Sequence, residues 1–110
     1  MKMQKAQLEG SGGMKIHITD EAVNWFKREL ELDDGESVRF FAKYGGSTPI
    51  QHGFSLGVQK DIPDDPAAAV ERNGNAFFIE STDEWYFDGH DLYIGYDPER
   101  DEPVYEYKKG

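Results

Sequence analysis

Residues 37–59 decide the fold and read SVRFFAKYGGSTPIQHGFSLGVQ. Apolar side chains recur at every second position over 37–44, and a period of two with aromatic residues predicts a β-strand. The same alternation over 53–59 predicts a second strand. The segment 45–52 between them contains two glycines and a proline and is predicted to be a long loop. Connections of this length often carry function.

Upstream of this stretch, the sequence predicts a strand followed by a helix. Residues 14–18 place apolar side chains on alternate positions, which is typical of a short strand. Thr19 stands where a helix N-cap belongs, and the two acidic residues after it lie near the positive end of the helix dipole. Apolar residues then recur at helical spacing, which predicts an amphipathic helix over 20–31.

Downstream, the sequence predicts a second, short helix and three further strands. The Asp-Pro pair at 65–66 resembles a helix cap and a proline in the first helical position, so 67–71 is predicted to be helical. Apolar or alternating runs predict strands over 76–80, 92–96 and 104–107. This order lacks the regular alternation of a doubly wound sheet. The predicted fold class is therefore α+β, with mixed, mostly antiparallel strands.

Length and composition limit the chain to one small domain without thiol chemistry. The 110 residues allow one core, and residues 1–13, which end in a Gly/Ser run, are expected to be a flexible leader or a cloning remnant before a domain over 14–110. The absence of cysteine excludes disulfides, zinc–thiolate sites and thiolate-held clusters. The net charge of −10 argues against binding to nucleic acid or anionic lipid.

No apolar run approaches the ~18 residues that a membrane helix needs, and no signal peptide opens the sequence, so a cytoplasmic location is expected. Catalysis is not predicted either. Neither Ser47 nor Ser55 stands in a G-x-S-x-G elbow, and no phosphate-binding glycine motif occurs.

The residues that could bind a ligand lie in predicted loops. His52 closes the long loop, and His90 follows Asp88 and precedes Asp91. These four side chains could together bind a divalent metal, but no H-x-x-H or H-E-x-x-H spacing supports this, and the alternative is four solvated turn residues. His17 is expected to be an exposed strand residue rather than a ligand.

The C-terminal part is acidic and aromatic. Between Glu80 and Glu106 there are ten acidic residues and one basic residue, which indicates a solvated face or one that steers a basic partner. Tyr93, Tyr105 and Tyr107 are candidates for a subunit contact, because the few aliphatic residues require other aromatic side chains to fill the core.

Four short motifs follow one another along the chain: Ile-Thr-Asp-Glu-Ala at 18–22, Val-Arg-Phe-Phe at 38–41 running into Gly-Gly, Gly-Phe-Ser-Leu-Gly-Val at 53–58, and Asp-Leu-Tyr-Ile-Gly-Tyr-Asp-Pro at 91–98. Together they resemble the HesB-like family, which includes the A-type carriers of iron–sulphur cluster biogenesis. The resemblance spans residues 14–107. It implies a compact β-rich barrel or sandwich with flanking helices, and a tendency to self-associate.

The chain departs from this family at the cluster ligands. Members that carry clusters place one cysteine in the loop after the strand at 37–44 and a Cys-x-Cys near the C-terminus. Here the loop reads Gly45-Gly46-Ser47, and 103–107 contains no thiol. Iron–sulphide clusters prefer thiolate, for which a serine hydroxyl is no substitute near neutral pH.

The sequence therefore predicts a non-enzymatic HesB-like domain without a cofactor, acting through contacts with another protein or with a second copy. The residues expected to carry the function are the vestigial ligand loop 45–52, with Gly45, Gly46, Ser47 and His52, and the tail 92–107. The alternative is a protein that binds a metal or a small ligand through histidines and carboxylates in the vestigial pocket.

Overall fold

Two β-sheets and two helices make up the fold, which a computed structural model describes for residues 13–110. In chain order the elements are β1 (Ile16–Ile18), α1 (Asp20–Glu29), β2 (Ser37–Thr48), β3 (Gln51–Lys60), β4 (Pro66–Arg72), β5 (Asn75–Glu80), a 3-10 turn (Ser81–Asp83), α2 (Glu84–Phe87), β6 (His90–Asp97) and β7 (Glu102–Lys109). The predicted leader, apart from Gly13, lies outside the described residues. Neither of these helices is long and apolar enough to cross a membrane.

The strands form a mixed arrangement that is mostly antiparallel. One sheet has the order β1-β6-β7 and the other the order β3-β2-β5-β4. The pairs β1–β6 and β2–β5 are parallel, whereas β2–β3, β4–β5 and β6–β7 are antiparallel. The α+β prediction is thus confirmed, in the form of two sheets that do not close into a barrel.

Helix α1 supplies the centre of the core. The Ala22 N–H donates to Thr19 Oγ1 at 3.2 Å, which confirms the predicted N-cap. Phe26 is fully buried, with its ring centroid 5.7 Å from that of Phe40 in β2 and 5.9 Å from that of Phe77 in β5. The helix therefore covers the apolar face of the four-stranded sheet with the stripe that the sequence predicted.

The helix predicted over 67–71 is wrong, because this segment lies in β4. Its short alanine run pairs antiparallel with β5, and Ala67 and Ala68 are buried. One or two turns of isolated helix are marginal in water, so this pairing overrides the propensity of alanine. The Glu80 carboxylate fixes the entry to β4 by accepting the backbone N–H groups of Asp64 and Asp65, both at 2.7 Å.

The second helix lies instead at α2, in the aromatic run 84–87, where no capping residue or helical spacing predicted a helix. Tyr86 and Phe87 are fully buried there, and burial of these two large side chains stabilises a helix of one turn. Asp88 ends the helix in the left-handed conformation, with φ of 48°.

The long loop predicted over 45–52 is also wrong, since it forms the end of a β-hairpin. Ser47 pairs with His52 and Thr48 with Gln51, which leaves a two-residue turn. The strand register shifts between Tyr44 and Ser47, where Gly45 and Gly46 have φ of 108° and 74°. These glycines therefore form a bulge within the hairpin, for which residues without Cβ are suited.

Candidate functional site

The end of the β2–β3 hairpin is held in place from inside the protein. The buried Tyr86 hydroxyl donates to Thr48 Oγ1 at 3.2 Å, and Gln51 Nε2 donates to the Tyr86 backbone oxygen at 3.2 Å. The Gln51 N–H also donates to Thr48 Oγ1 at 3.2 Å. Helix α2 thus fixes the position of the turn.

Three aromatic side chains lie together on the surface beside this hairpin. The Tyr44 ring is 5.8 Å from that of Phe54, and the Phe54 ring is 5.0 Å from that of Trp85, both edge-to-face. Tyr44 is 87% exposed and Trp85 is 51% exposed. We call Tyr44, Phe54 and Trp85 the aromatic patch. Exposed aromatic clusters of this kind are typical of contact surfaces.

The sequence did not single out this patch, because the alternation over 37–44 groups Tyr44 with the apolar residues at 38, 40 and 42 on one side of the strand. In the 12-residue strand β2, the side chains of Val38 and Phe40 are buried, whereas that of Tyr44 is exposed. The exposed part of the strand begins just before the bulge at Gly45 and Gly46. The glycine pair next to an aromatic residue was the signal that could have indicated the exposure.

Of the predicted ligand residues, Ser47 and His52 lie on the hairpin, whereas Asp88, His90 and Asp91 lie between the end of α2 and the start of β6. Ser47 and His52 face each other across the hairpin, and both are exposed. His90 Nδ1 lies 2.9 Å from the Phe87 backbone oxygen, while Asp91 is buried and accepts the Lys15 N–H at 2.9 Å.

Within residues 13–110, no three histidine or carboxylate side chains are grouped so that they could hold a metal ion. His17 is exposed, as expected, and stacks on Tyr93 with the ring centroids 4.2 Å apart.

Tyr105 and Tyr107 direct their side chains toward the core. The Tyr105 ring lies 6.4 Å from that of Phe40, and the Tyr107 hydroxyl lies 3.1 Å from that of Tyr86. Burial raises the pKa of both phenols, and for Tyr107 the hydrogen bond with Tyr86 adds to the effect. Both therefore remain neutral hydroxyls near neutral pH.

These donors do not fit an iron–sulphur cluster. The segments that correspond to the family's ligand regions offer the hydroxyl of Ser47 and the neutral phenols of Tyr105 and Tyr107, and the sequence contains no cysteine. Iron–sulphide clusters are held by thiolates, which are soft and charged. Such a cluster would therefore lack its usual ligands in this chain.

Part of the acidic excess after Glu80 has a structural role. Arg39 donates to Asp83 at 2.7 Å and to Asp61 at 3.2 Å, and Asp83 is buried. Asp101 accepts from Arg28 at 2.9 Å. The carboxylates Asp83 and Asp101 are thus already paired within the protein.

Comparison with known proteins identifies the family. Residues 14–102 match the family model described as iron–sulphur cluster biosynthesis. A Bacillus subtilis (strain 168) protein named pyruvate dehydrogenase inhibitor is 50% identical over 95 residues, which cover 86% of this chain and 100% of that protein. An uncharacterised protein of Staphylococcus saprophyticus is 38% identical over 98 residues, covering 86% and 100% of the two chains.

An uncharacterised protein of Staphylococcus aureus (strain MRSA252) is 34% identical over 98 residues, again covering 86% of this chain and 100% of the relative. No solved structure matches the chain. The predicted HesB-like resemblance is confirmed by the match over most of the described residues. The chain therefore belongs to the iron–sulphur cluster biosynthesis family, as a member without cysteine.

Proposed function

We propose that this chain is a non-catalytic protein that inhibits pyruvate dehydrogenase by binding to it. The observation that carries the proposal is the 50% identity to the Bacillus subtilis pyruvate dehydrogenase inhibitor along that protein's whole length. A family fold alone does not define a function, since one fold serves many functions. The identity extends along the whole length of that relative and is therefore not confined to one short motif.

The chemistry of the chain supports action by contact. No cysteine is present to hold a cluster or to act as a nucleophile. Ser47 lies opposite His52, but no hydrogen bond joins the hydroxyl to the imidazole, and a catalytic serine needs such a base. A protein that binds and blocks another protein needs neither group.

The aromatic patch supplies a surface suited to such contact. Tyrosine and tryptophan dominate the binding energy of many protein interfaces, because they bury a large area with few rotatable bonds. The hydrogen bond from the Tyr86 hydroxyl to Thr48 Oγ1 and that from Gln51 Nε2 to the Tyr86 backbone oxygen tie the hairpin turn to helix α2. A preformed surface loses less conformational entropy on binding. The patch thus forms the proposed contact with the enzyme.

The proposal is tested by mixing purified pyruvate dehydrogenase with the chain and looking for a complex by size-exclusion chromatography. Two single variants test whether the aromatic patch forms the contact. Tyr44→Ser lies within the patch and Ile62→Ser is the matched control, since the two wild-type side chains are 87% and 83% exposed. We expect the wild type and Ile62→Ser to co-elute with the enzyme and Tyr44→Ser to co-elute less. Absence of any complex would refute the function, whereas a complex unaffected by Tyr44→Ser would refute only the patch.

A further inference from the structure

A small cavity lies where the end of α2 meets the start of β6, and its volume is about 290 Å³. The residues that line it include Met14, Glu84, His90, Asp91 and Gly110. No residue of the aromatic patch or of the hairpin lines it. Sites for drug-sized molecules measure ~300–1,000 Å³, so this cavity suits a smaller ligand.

Asp91 is a buried carboxylate of this cavity with one unpaired oxygen. The residue is 8% exposed, and its Oδ1 accepts the Lys15 N–H at 2.9 Å. Within residues 13–110, no group donates to Asp91 Oδ2, and no lysine or arginine forms an ion pair with this carboxylate. Buried charges are normally paired, because burial of an isolated charge is costly. The unpaired oxygen therefore indicates a place for an external donor.

Gly110 leaves this oxygen open to the cavity. A Cβ atom at position 110 would lie 3.0 Å from Asp91 Oδ2 and 3.2 Å from Oδ1, which is closer than side chains usually pack. In the described part of the chain, Arg39 Nε is the one side-chain nitrogen or oxygen that is both enclosed and unpaired. Asp91 Oδ2 is unpaired but not enclosed, so a ligand can reach it from the cavity that Asp91 lines.

The other polar side chains of the cavity are acceptors too. His90 Nδ1 lies 2.9 Å from the Phe87 backbone oxygen and 3.1 Å from that of Asp88. Because both neighbours are carbonyl oxygens, Nδ1 carries the proton of the neutral ring and Nε2 is left as an acceptor. The Glu84 carboxylate forms no ion pair within residues 13–110. The cavity thus offers three side-chain acceptors, from Asp91, His90 and Glu84.

These acceptors suit an ammonium group better than a metal ion. No three histidine or carboxylate side chains of residues 13–110 are grouped so that they could hold a metal. Metals hold nitrogen and oxygen ligands at ~2.0–2.6 Å, whereas a hydrogen bond from an ammonium to a carboxylate spans ~2.7–2.9 Å. An ammonium therefore accommodates acceptors that are spaced more widely. It also has three N–H donors and no acceptor.

The charge and the apolar wall of the cavity point to the same kind of ligand. Asp91 and Glu84 are acidic, and the whole chain carries −10. Lys109, the neighbouring lysine, donates to the Asp88 backbone oxygen at 3.5 Å and does not line the cavity. Met14 contributes an apolar surface to the lining. The cavity therefore matches a molecule with an ammonium group at one end and a hydrocarbon chain behind it.

We propose that this cavity binds a small primary alkylamine. Its ammonium group donates to Asp91 Oδ2, His90 Nε2 and the Glu84 carboxylate, and its alkyl chain contacts Met14. Asp91 supplies the strongest of these bonds, because a charge-assisted hydrogen bond gains strength where water is excluded. The aromatic patch takes no part in the site, so the amine site does not depend on the proposed function.

Titration of the full chain with n-pentylamine hydrochloride, followed by NMR of the backbone amides, tests the proposal. Two matched probes separate the contributions: tetramethylammonium chloride has the charge without N–H donors, and 1-pentanol has the chain without the charge. We expect saturable shifts of the amides of residues 89–91 with n-pentylamine, at a dissociation constant on the order of 1 mM. Neither matched probe should saturate these shifts.

Variants locate the site. Asp91→Asn removes the charge and keeps an oxygen for the Lys15 N–H, and Asp97→Asn, in the same strand but outside the cavity, is the matched control. Asp91→Asn should raise the dissociation constant about tenfold or more, and Asp97→Asn should not change it. Glu84→Gln, in a half-buried side chain, should also weaken binding and tests the site independently if Asp91→Asn does not fold. Far-UV circular dichroism checks the folding of each variant.

Three outcomes would overturn the proposal. The first is the absence of any saturable shift with n-pentylamine. The second is equally tight binding of tetramethylammonium or 1-pentanol, since either would show that the N–H donors or the charge do not matter. The third is wild-type affinity for the amine in folded Asp91→Asn or, if that variant does not fold, in Glu84→Gln.

Discussion

The hydroxyl of Tyr86 lies 3.1 Å from the hydroxyl of Tyr107, and this contact joins helix α2 to the three-stranded sheet. Tyr86 also donates to Thr48 Oγ1 in β2, so Tyr107 acts as donor to Tyr86. One chain of three hydroxyls therefore connects both sheets and the hairpin turn. Its position inside the protein makes it important for stability and for the shape of the hairpin.

Tyr86→Phe keeps the ring and removes the hydroxyl that serves both neighbours. We expect a loss of about 1–3 kcal/mol in the free energy of unfolding, because Thr48 and Tyr107 lose their partner in a half-buried site. Urea denaturation measures this value. A double-mutant cycle with Tyr107→Phe should show coupling, and strictly additive effects would contradict the hydroxyl chain.

Arg39 is predicted to stabilise the fold through Asp83. The Arg39 side chain is 24% exposed and that of Asp83 is 12% exposed, with Nη2 and Oδ2 2.7 Å apart. Arg39→Ala should lower the free energy of unfolding by about 2–3 kcal/mol, below the full value for a buried pair because water reaches part of the site. Arg39→Ala combined with Asp83→Ala should be less destabilised than the sum of the single variants. If the effects add fully, the two residues do not act as a pair.

Acid is predicted to destabilise the protein through Glu36 and Asp61. The hydrogen bond from the Asp33 N–H, and then that from Lys60, lower the pKa of Glu36 below its ordinary 4.5. The Ile62 N–H, and then Arg39, lower the pKa of Asp61 below its ordinary 3.8.

A carboxylate with a lowered pKa in the folded state stabilises that state above the ordinary pKa and loses this effect as the pH falls through the lowered value. The free energy of unfolding should therefore decrease as the pH drops below about 4.5. Thermal melts across this range measure the slope, and Glu36→Gln should flatten it. An unchanged slope in Glu36→Gln would show that this carboxylate makes no such contribution.

Alkali is predicted to destabilise the protein through Tyr105 and Tyr107. Burial raises the pKa of both phenols in the folded state, whereas in the unfolded chain they ionise near pH ~10. A group with a raised folded pKa contributes stability that is fully present below the unfolded pKa and is lost as the pH rises above it.

The free energy of unfolding should thus fall above pH ~10. Part of the phenolate absorbance should appear only with unfolding, and Tyr107→Phe should reduce that part. Ionisation of all tyrosines before any loss of folded structure would contradict this prediction.

Local signals in the sequence predicted the parts of the fold that local interactions determine. Thr19 and the spacing of the apolar residues after it specify α1, because an N-cap and an amphipathic stripe need only neighbouring residues. The alternation over 37–44 and 53–59 likewise predicted two strands, because a period of two is visible within each segment alone. The family was evident from the order of short motifs, and the family model confirms it.

The remainder depends on contacts that are distant in the sequence. The segment 67–71 is a strand because β5 pairs with it, and nothing within the segment itself indicates this partner. Gly45 and Gly46 suggested a loop, since positive φ serves turns and bulges alike. The aromatic patch joins residues from β2, β3 and α2, so only the tertiary structure brings them together.

The most direct test of the central claim is a titration of purified pyruvate dehydrogenase from Bacillus subtilis with this chain, with the rate of pyruvate oxidation as the readout. We predict a saturable fall in the rate, with Ile62→Ser as effective as the wild type and Tyr44→Ser needing roughly 30-fold more protein, as for an interface residue worth about 2 kcal/mol. A rate that stays constant when the chain is in large excess over the enzyme would contradict the account.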